Sequence, residues 1–182
     1  MRIPLMLIIV CVSLNLPAQS HHHLTTDQGL TTNVLSTVIR DKNNFMWFAS
    51  YNGLHKHEGS RIRVYNKTGK DSSSISGLEM HGLFEDRQGY IWIGTTNGLD
   101  KIDPVTGYVK HYTLRSPGST SAFVGYIYSI FQDKYDSIWI STDAALFRMS
   151  YKTGKYTIIP QTQNGEGIPL PVTGYKTGIK TS

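Results

Sequence analysis

Short apolar stretches alternate with polar turn residues from residue 34 onward, and the pattern recurs three times. In the second occurrence, residues 80–85 form a short strand-like stretch with Leu83 and Phe84 apolar. The polar group Asp86-Arg87-Gln88-Gly89 follows, then the run Ile91-Trp92-Ile93 within residues 90–95. Residues 98–102 and 108–113 continue the alternation on either side of Asp103-Pro104-Val105-Thr106-Gly107. Pro favours an early turn position and Gly supplies positive φ, so that segment reads as a hairpin. Period-two alternation bounded by turn residues predicts four short strands per unit. The first unit places them at 34–40, 46–50, 53–57 and 62–66, and the third at 126–132, 137–142, 145–150 and 155–159.

The units share a spine of equivalent residues. Trp47, Trp92 and Trp139 lie 45 and 47 residues apart, and Asp41, Asp86 and Asp133 each stand six residues before the Trp. A repeat of this length built from strands predicts β-propeller blades, in which each sheet buries its faces against its neighbours. The expected fold is all-β: a partial propeller of three four-stranded blades plus an N-terminal orphan outer strand. The boundaries are a signal peptide over 1–20, a strand and linker over 21–33, and blades over 34–76, 77–121 and 122–160. An irregular tail over 161–182 completes the chain. Residues 22–25 match 110–113, which stand before the third unit, and so read as a fourth strand lacking its first three partners.

Each repeated residue has a structural reason. A buried Trp removes roughly 200 Å² from water, about 5 kcal/mol at 25 cal/mol/Å². The Asp at the end of the first strand can accept backbone N–H groups from the next turn. Gly53 and Gly98 each follow Asn, a strong hairpin signal. Unit three has Ala144-Ala145 instead and must turn differently.

Composition narrows the class. The 182 residues are 39% hydrophobic and 17% charged, ordinary for a globular chain. The net charge of +5 comes from scattered residues, among them Arg40, Lys42, Lys101 and Arg148, and reads as a solvated surface. A nucleic-acid binder would concentrate them on one face. Met1-Arg2, the apolar stretch 5–16 and Ala18-Gln19-Ser20 follow the pattern of a cleaved secretory signal. About 12 apolar residues are too few to span a membrane. A lipoprotein signal centred on Cys11, the one cysteine, would want small residues where Ile9-Val10 stand.

With these residues in view, the chain resembles the two-component regulator propeller repeat, which reads as an acidic turn, W-I-G-T, two variable residues and G-L. Residues 86–99 match closely, 41–54 well and 133–146 in degenerate form. The resemblance covers residues 22–159. It implies the periplasmic sensor of a hybrid two-component histidine kinase of the kind common in gut Bacteroidetes. Such proteins carry two propellers, a β-sandwich domain, a membrane helix, kinase and receiver domains and a DNA-binding regulator. Many respond to oligosaccharides from complex glycans. No kinase motif occurs here, so phosphotransfer is not assigned to this chain. The expectation is the N-terminal, truncated part of such a sensor. The alternative is a stand-alone secreted propeller serving as an interaction or scaffold module, and a propeller hydrolase or lyase is a third, weaker idea.

Chemistry is sparse. His21-His22-His23 has no companion cluster to complete a metal site, and the expectation is no metal and no cofactor. Glu85 and Asp86 are adjacent, so on a strand they face opposite ways and make no acid–base pair. No nucleophile, P-loop or dinucleotide motif appears, and the chain is read as non-enzymatic. The candidate ligand residues are Tyr51, Asn52, Thr96, Asn97 and Asp143, which follow the second strand of each unit and so meet at one rim. The expected partners are an oligosaccharide ligand and either the remaining blades or a homodimer partner, with neither nucleic acid nor a membrane span in the mature chain.

Overall fold

The computed structural model describes residue 26 and residues 29–67, 73–115 and 125–159. The signal segment, Cys11, His21-His22-His23, the opening strand at 22–25 and the tail at 161–182 lie outside them. Twelve strands form three four-stranded antiparallel sheets. Blade 1 holds β1 (Leu35–Arg40), β2 (Met46–Ser50), β3 (Gly53–His57) and β4 (Ile62–Tyr65). Blade 2 holds β5 (Met80–Glu85), β6 (Ile91–Thr95), β7 (Gly98–Ile102) and β8 (Val109–Tyr112). Blade 3 holds β9 (Ile127–Gln132), β10 (Ser137–Thr142), β11 (Leu146–Ser150) and β12 (Tyr156–Ile159). Each strand agrees with its sequence expectation to within a residue at either end. The innermost strands stand side by side, with β5 between β1 and β9.

The core lies between blades. Trp47, Leu54 and Tyr65 of blade 1 pack with Met80, Ile91 and Ile93 of blade 2. Trp92 and Leu99 of blade 2 pack with Ile138, Ile140 and Phe147 of blade 3. Trp47 stacks on Tyr65 at 5.7 Å and Trp92 on Tyr112 at 5.3 Å. At Gly94 an added Cβ would lie 2.4 Å from Cγ2 of Ile127, so glycine there lets blade 3 close onto blade 2.

The Asp–Trp spacing has a reason beyond the turn. Asp86 Oδ1 accepts the N–H of Gln88 and Tyr90, while Oδ2 accepts the Trp92 indole N–H at 2.7 Å. Asp41 does the same for Asn43, Phe45 and Trp47, and Asp133 for Tyr135, Ser137 and Trp139. Each carboxylate thus closes the turn and satisfies the one polar atom of a buried indole.

Two expectations are corrected. Lys101 is not part of a solvated surface. Its ammonium lies 3.9 Å from the Tyr90 ring centroid and 5.2 Å from that of Trp92, and it donates to Tyr151 Oη of the next blade at 2.8 Å. Burial pushes its pKa down, against the pull of Asp86. Lys56 repeats the arrangement over Phe45 and Trp47 and donates to the Pro104 carbonyl of blade 2. Arg148 takes the matching place over Trp139. These are cation–π contacts at one register position of the third strand. The Asn-Gly pairs also do not make a primed turn, which would need positive φ at Asn. Among the described non-glycine residues only Asn44 and Asp136 have positive φ, whereas Gly53 and Gly98 carry +132° and +136°. Blade 3, lacking that glycine, closes through Thr142 Oγ1, which accepts the N–H of both Ala144 and Ala145.

Candidate functional site

The ladder between first and second strands slips at the same place in every blade. The irregularity lies between Leu35 and Thr37 in β1 and between Met80 and Gly82 in β5. In β9 it lies between Ile127 and Ser129, opposite Thr142 and Ser141. Ser36, His81 and Tyr128 are therefore equivalent extra residues of three β-bulges. A bulge leaves its extra residue unpaired and re-aims its side chain.

Around them the loops form an aromatic rim. The His81 ring meets Tyr126 edge-on at 4.9 Å and Tyr51 at 6.0 Å, and its centroid is 6.4 Å from that of Tyr128. Tyr126 and Tyr128 stack at 6.1 Å. The three tyrosines remain 44%, 38% and 50% exposed for Tyr51, Tyr126 and Tyr128, so their faces are available to a ligand. Among the described residues His81 Nε2 is buried with no hydrogen-bond partner, an unmet polar atom in a setting where most are met. Ser36 Oγ donates to the Met80 carbonyl and ties β1 to β5.

An open depression of about 380 Å³ adjoins the aromatic residues, lined by Tyr51, Lys67, Leu78, Glu79, Thr96 and Asn97. Three of the five residues expected from the sequence, Tyr51, Thr96 and Asn97, thus come together. Asn97 Nδ2 is engaged by the Ser76 carbonyl at 2.9 Å. Asn52 lies outside this lining: its N–H bonds Ser50 Oγ and its carbonyl accepts Thr31 Oγ1, the contacts of a turn residue. Asp143 donates its N–H to the Tyr126 carbonyl, and Gly125 donates to that of Thr96. The loops that carry the expected residues therefore hold the tyrosines in place. His81, Tyr126 and Tyr128 were missed. Aligning the units on Asp and Trp would have brought out two of them, because Ser36, His81 and Tyr128 fall in one column before a small residue.

The opposite end differs in kind. A smaller cavity of about 220 Å³ there is lined mainly by turn residues, including Lys42, Gln88, Asp103 and Val105. Glu85 Oε2 accepts the Lys42 N–H of blade 1 while Asp86 faces its own turn, so the two carboxylates do not converge. Among the described residues no three His, Cys, Asp or Glu side chains gather as a metal site. No helix of the described residues is long and apolar enough to cross a membrane.

A sequence model of the two component regulator propeller family matches residues 74–97 and 123–144, each centred on the first two strands of a blade. Those two segments are similar to the two component regulator propeller repeat. A curated relative with this likeness is histidine kinase P4 of Formosa agariphila, 29% identical over 81% of this chain and 11% of its own length. Among solved structures, the extracellular domain of a protein assigned to the hybrid two component systems of B. thetaiotaomicron is 28% identical. It matches with a TM-score of 0.65 over 75% of this chain and 19% of that one. A catalytically inactive virginiamycin B lyase from Staphylococcus aureus, 18% identical with a TM-score of 0.57, covers 76% of this chain and 45% of its own. That likeness shows the fold alone. The chain thus spans about a tenth of the curated kinase and a fifth of the solved extracellular domain.

Proposed function

We propose that this chain is the ligand-sensing propeller portion of a hybrid two-component sensor kinase, exported through residues 1–20 and working in the periplasm. Its task is binding, not catalysis, and phosphotransfer belongs to other parts of such a protein. The ligand is an oligosaccharide, bound where Tyr51, Thr96 and Asn97 line the rim depression. The observation that carries this reading is the rim itself. Three part-exposed tyrosines beside an open, polar-lined hollow suit a molecule with one apolar ring face and a hydroxyl edge. Carbohydrate recognition of this kind needs stacking faces and hydrogen-bonding groups, and both are present. The test is titration of the full chain with an oligosaccharide panel by affinity electrophoresis. The expected result is saturable binding that Tyr51→Ala weakens about tenfold, or ~1.4 kcal/mol. Absence of binding to every saccharide would sink the proposal.

A second reading, an interaction or scaffold module, draws support from the face of β1, where Val34 and Val38 are 58% and 51% exposed. Apolar exposure of this kind favours a partner, either further blades or a second copy. Light scattering separates the two readings. A stable stoichiometric complex with no saccharide affinity would favour the scaffold.

A further inference from the structure

We infer that the rim takes an uncharged sugar ring, and that the bulged residue of each innermost strand, foremost His81 and Tyr128, sets which ring it takes. This rests on the oligosaccharide reading above and narrows it.

The first support is register. Ser36, His81 and Tyr128 are one position read three times, and it is the position the ladder leaves unpaired. Its neighbours are constrained: Met80 and Ile127 are buried between blades, and Gly82 sits against Ile130 of the next blade. The bulge position, by contrast, carries Ser, His and Tyr in the three blades. A fold that holds its scaffold fixed and varies one side chain per blade has a built-in place for specificity.

The second support is the kind of atom offered. His81 Nε2 is buried and has no hydrogen-bond partner among the described residues. A neutral imidazole nitrogen donates or accepts according to its tautomer, and a sugar hydroxyl does both, so a hydroxyl that reaches this buried nitrogen as the neighbouring tyrosine rings shift is met by either tautomer. The tyrosine faces present a negative π-cloud, which attracts the polarised C–H face of a pyranose and repels an anion.

The third support is charge. The chain is +5 overall, yet four of its cations are engaged away from the rim. Lys56, Lys101 and Arg148 lie over aromatic rings between strands, and Arg87 bonds Asp136 in the turn of the next blade. The depression holds one Lys67 and one Glu79, which offset each other, and the aromatic cluster holds no fixed charge. Sulfated or uronic saccharides call for Arg or Lys clamps, and among the described residues the depression offers Lys67 alone, beside Glu79.

The experiment sets neutral oligosaccharides against their sulfated and uronic counterparts. Each is titrated into the full chain at about 50 mM and about 300 mM salt, a range over which surface charge attraction is strongly screened. Neutral ligands should bind with less than a twofold change across that range. Tyr128→Ala should weaken them about tenfold. His81→Phe keeps the ring but removes the nitrogen, and should weaken them about fivefold while changing their rank order. Circular dichroism on each variant confirms folding. Preference for charged saccharides that weakens with salt overturns this inference and leaves the oligosaccharide reading standing. Neutral binding lost in Tyr51→Ala but untouched by both bulge variants also overturns it. No binding to any saccharide overturns both.

Discussion

Trp92 and Trp139 occupy the same register, and comparing them separates the two jobs of the repeat. Both donate the indole N–H to an aspartate six residues earlier, at 2.7 and 2.8 Å. Both lie under a cation of the third strand. Their surroundings differ. Trp92 is fully buried, stacked on Tyr112 of its own blade and packed in one cluster with blade 3. Trp139 is only partly buried, stacked on Phe131 at 6.0 Å and covered by Arg148. The local clamp is thus complete within one blade, whereas burial needs the next one. Secondary structure in this fold is a property of the unit, and stability is a property of the junction between units.

The largest expected effect follows. Trp92→Ala removes a ring from a closed inter-blade core and should cost about 3–5 kcal/mol. Trp139→Ala removes a ring already open to water and should cost about 1–2 kcal/mol, scaled from the same range by its lesser burial. Urea unfolding of the full chain and the two variants reads the difference. Equal losses would mean that the within-blade clamp, not the junction, carries the tryptophan's contribution.

The clamp is tested next. Asp86→Asn replaces the acceptor of the Trp92 indole with a group that can donate, leaving a buried N–H unmet, and should cost about 2–3 kcal/mol. Asp133→Asn should cost about 1–2 kcal/mol, because water can reach its partner. The pair also predicts a pH dependence. Burial opposes the charge of Asp133, but the N–H groups of Trp139, Ser137 and Tyr135, with the charge of Arg148, outweigh it and hold its pKa below the ordinary value. A folded-state pKa below the unfolded one adds stability that is whole above the unfolded value, near 3.9. It is lost as pH falls through the lower, folded value. The gap between wild type and Asp133→Asn should therefore be constant near neutral pH and shrink below about pH 4. A gap that stays constant down to the lowest pH that keeps the chain folded contradicts the charge-based account.

Much of the fold was legible because two periods coincide in the chain. Alternation places the strands, and the Asp–Trp spacing places the blades, so all twelve strands fall where the residues put them. The role of Lys56 and Lys101 was not legible, since a lysine on an alternating strand looks solvent-facing until the neighbouring blade covers it. Nor was the indole bond of the aspartate, which spans a turn whose path the residues alone do not state. Of the rim, Tyr51, Thr96 and Asn97 were visible as loop residues following equivalent strands. His81 and Tyr128 could be singled out only as one column of the aligned units, because a bulge is a slip between two strands and leaves no composition of its own, and Tyr126 lies outside that column. Strand period assigns His81 to one face of a regular ladder, and the slip at Met80/Gly82 is what frees it.

The smallest effects compare the hairpins. Gly53 holds φ of +132°, and a Cβ there would stand 2.7 Å from the Tyr65 carbonyl oxygen. Gly53→Ala therefore meets both backbone strain and a close contact, and should cost about 1–3 kcal/mol. In blade 3 the Thr142 hydroxyl holds the N–H of Ala145 at 2.9 Å, and no described non-glycine residue of that hairpin has positive φ. Ala145→Gly should thus cost only about 0.5–1 kcal/mol, the entropy of a freer unfolded chain. Thermal unfolding of the two variants tests whether the blades turn by two mechanisms. If Gly53→Ala is as mild as Ala145→Gly, the glycine is dispensable and hydroxyl closure alone turns every blade. Ser50 Oγ and Thr95 Oγ1, which already accept the N–H of Asn52 and Asn97, would then be the residues to remove.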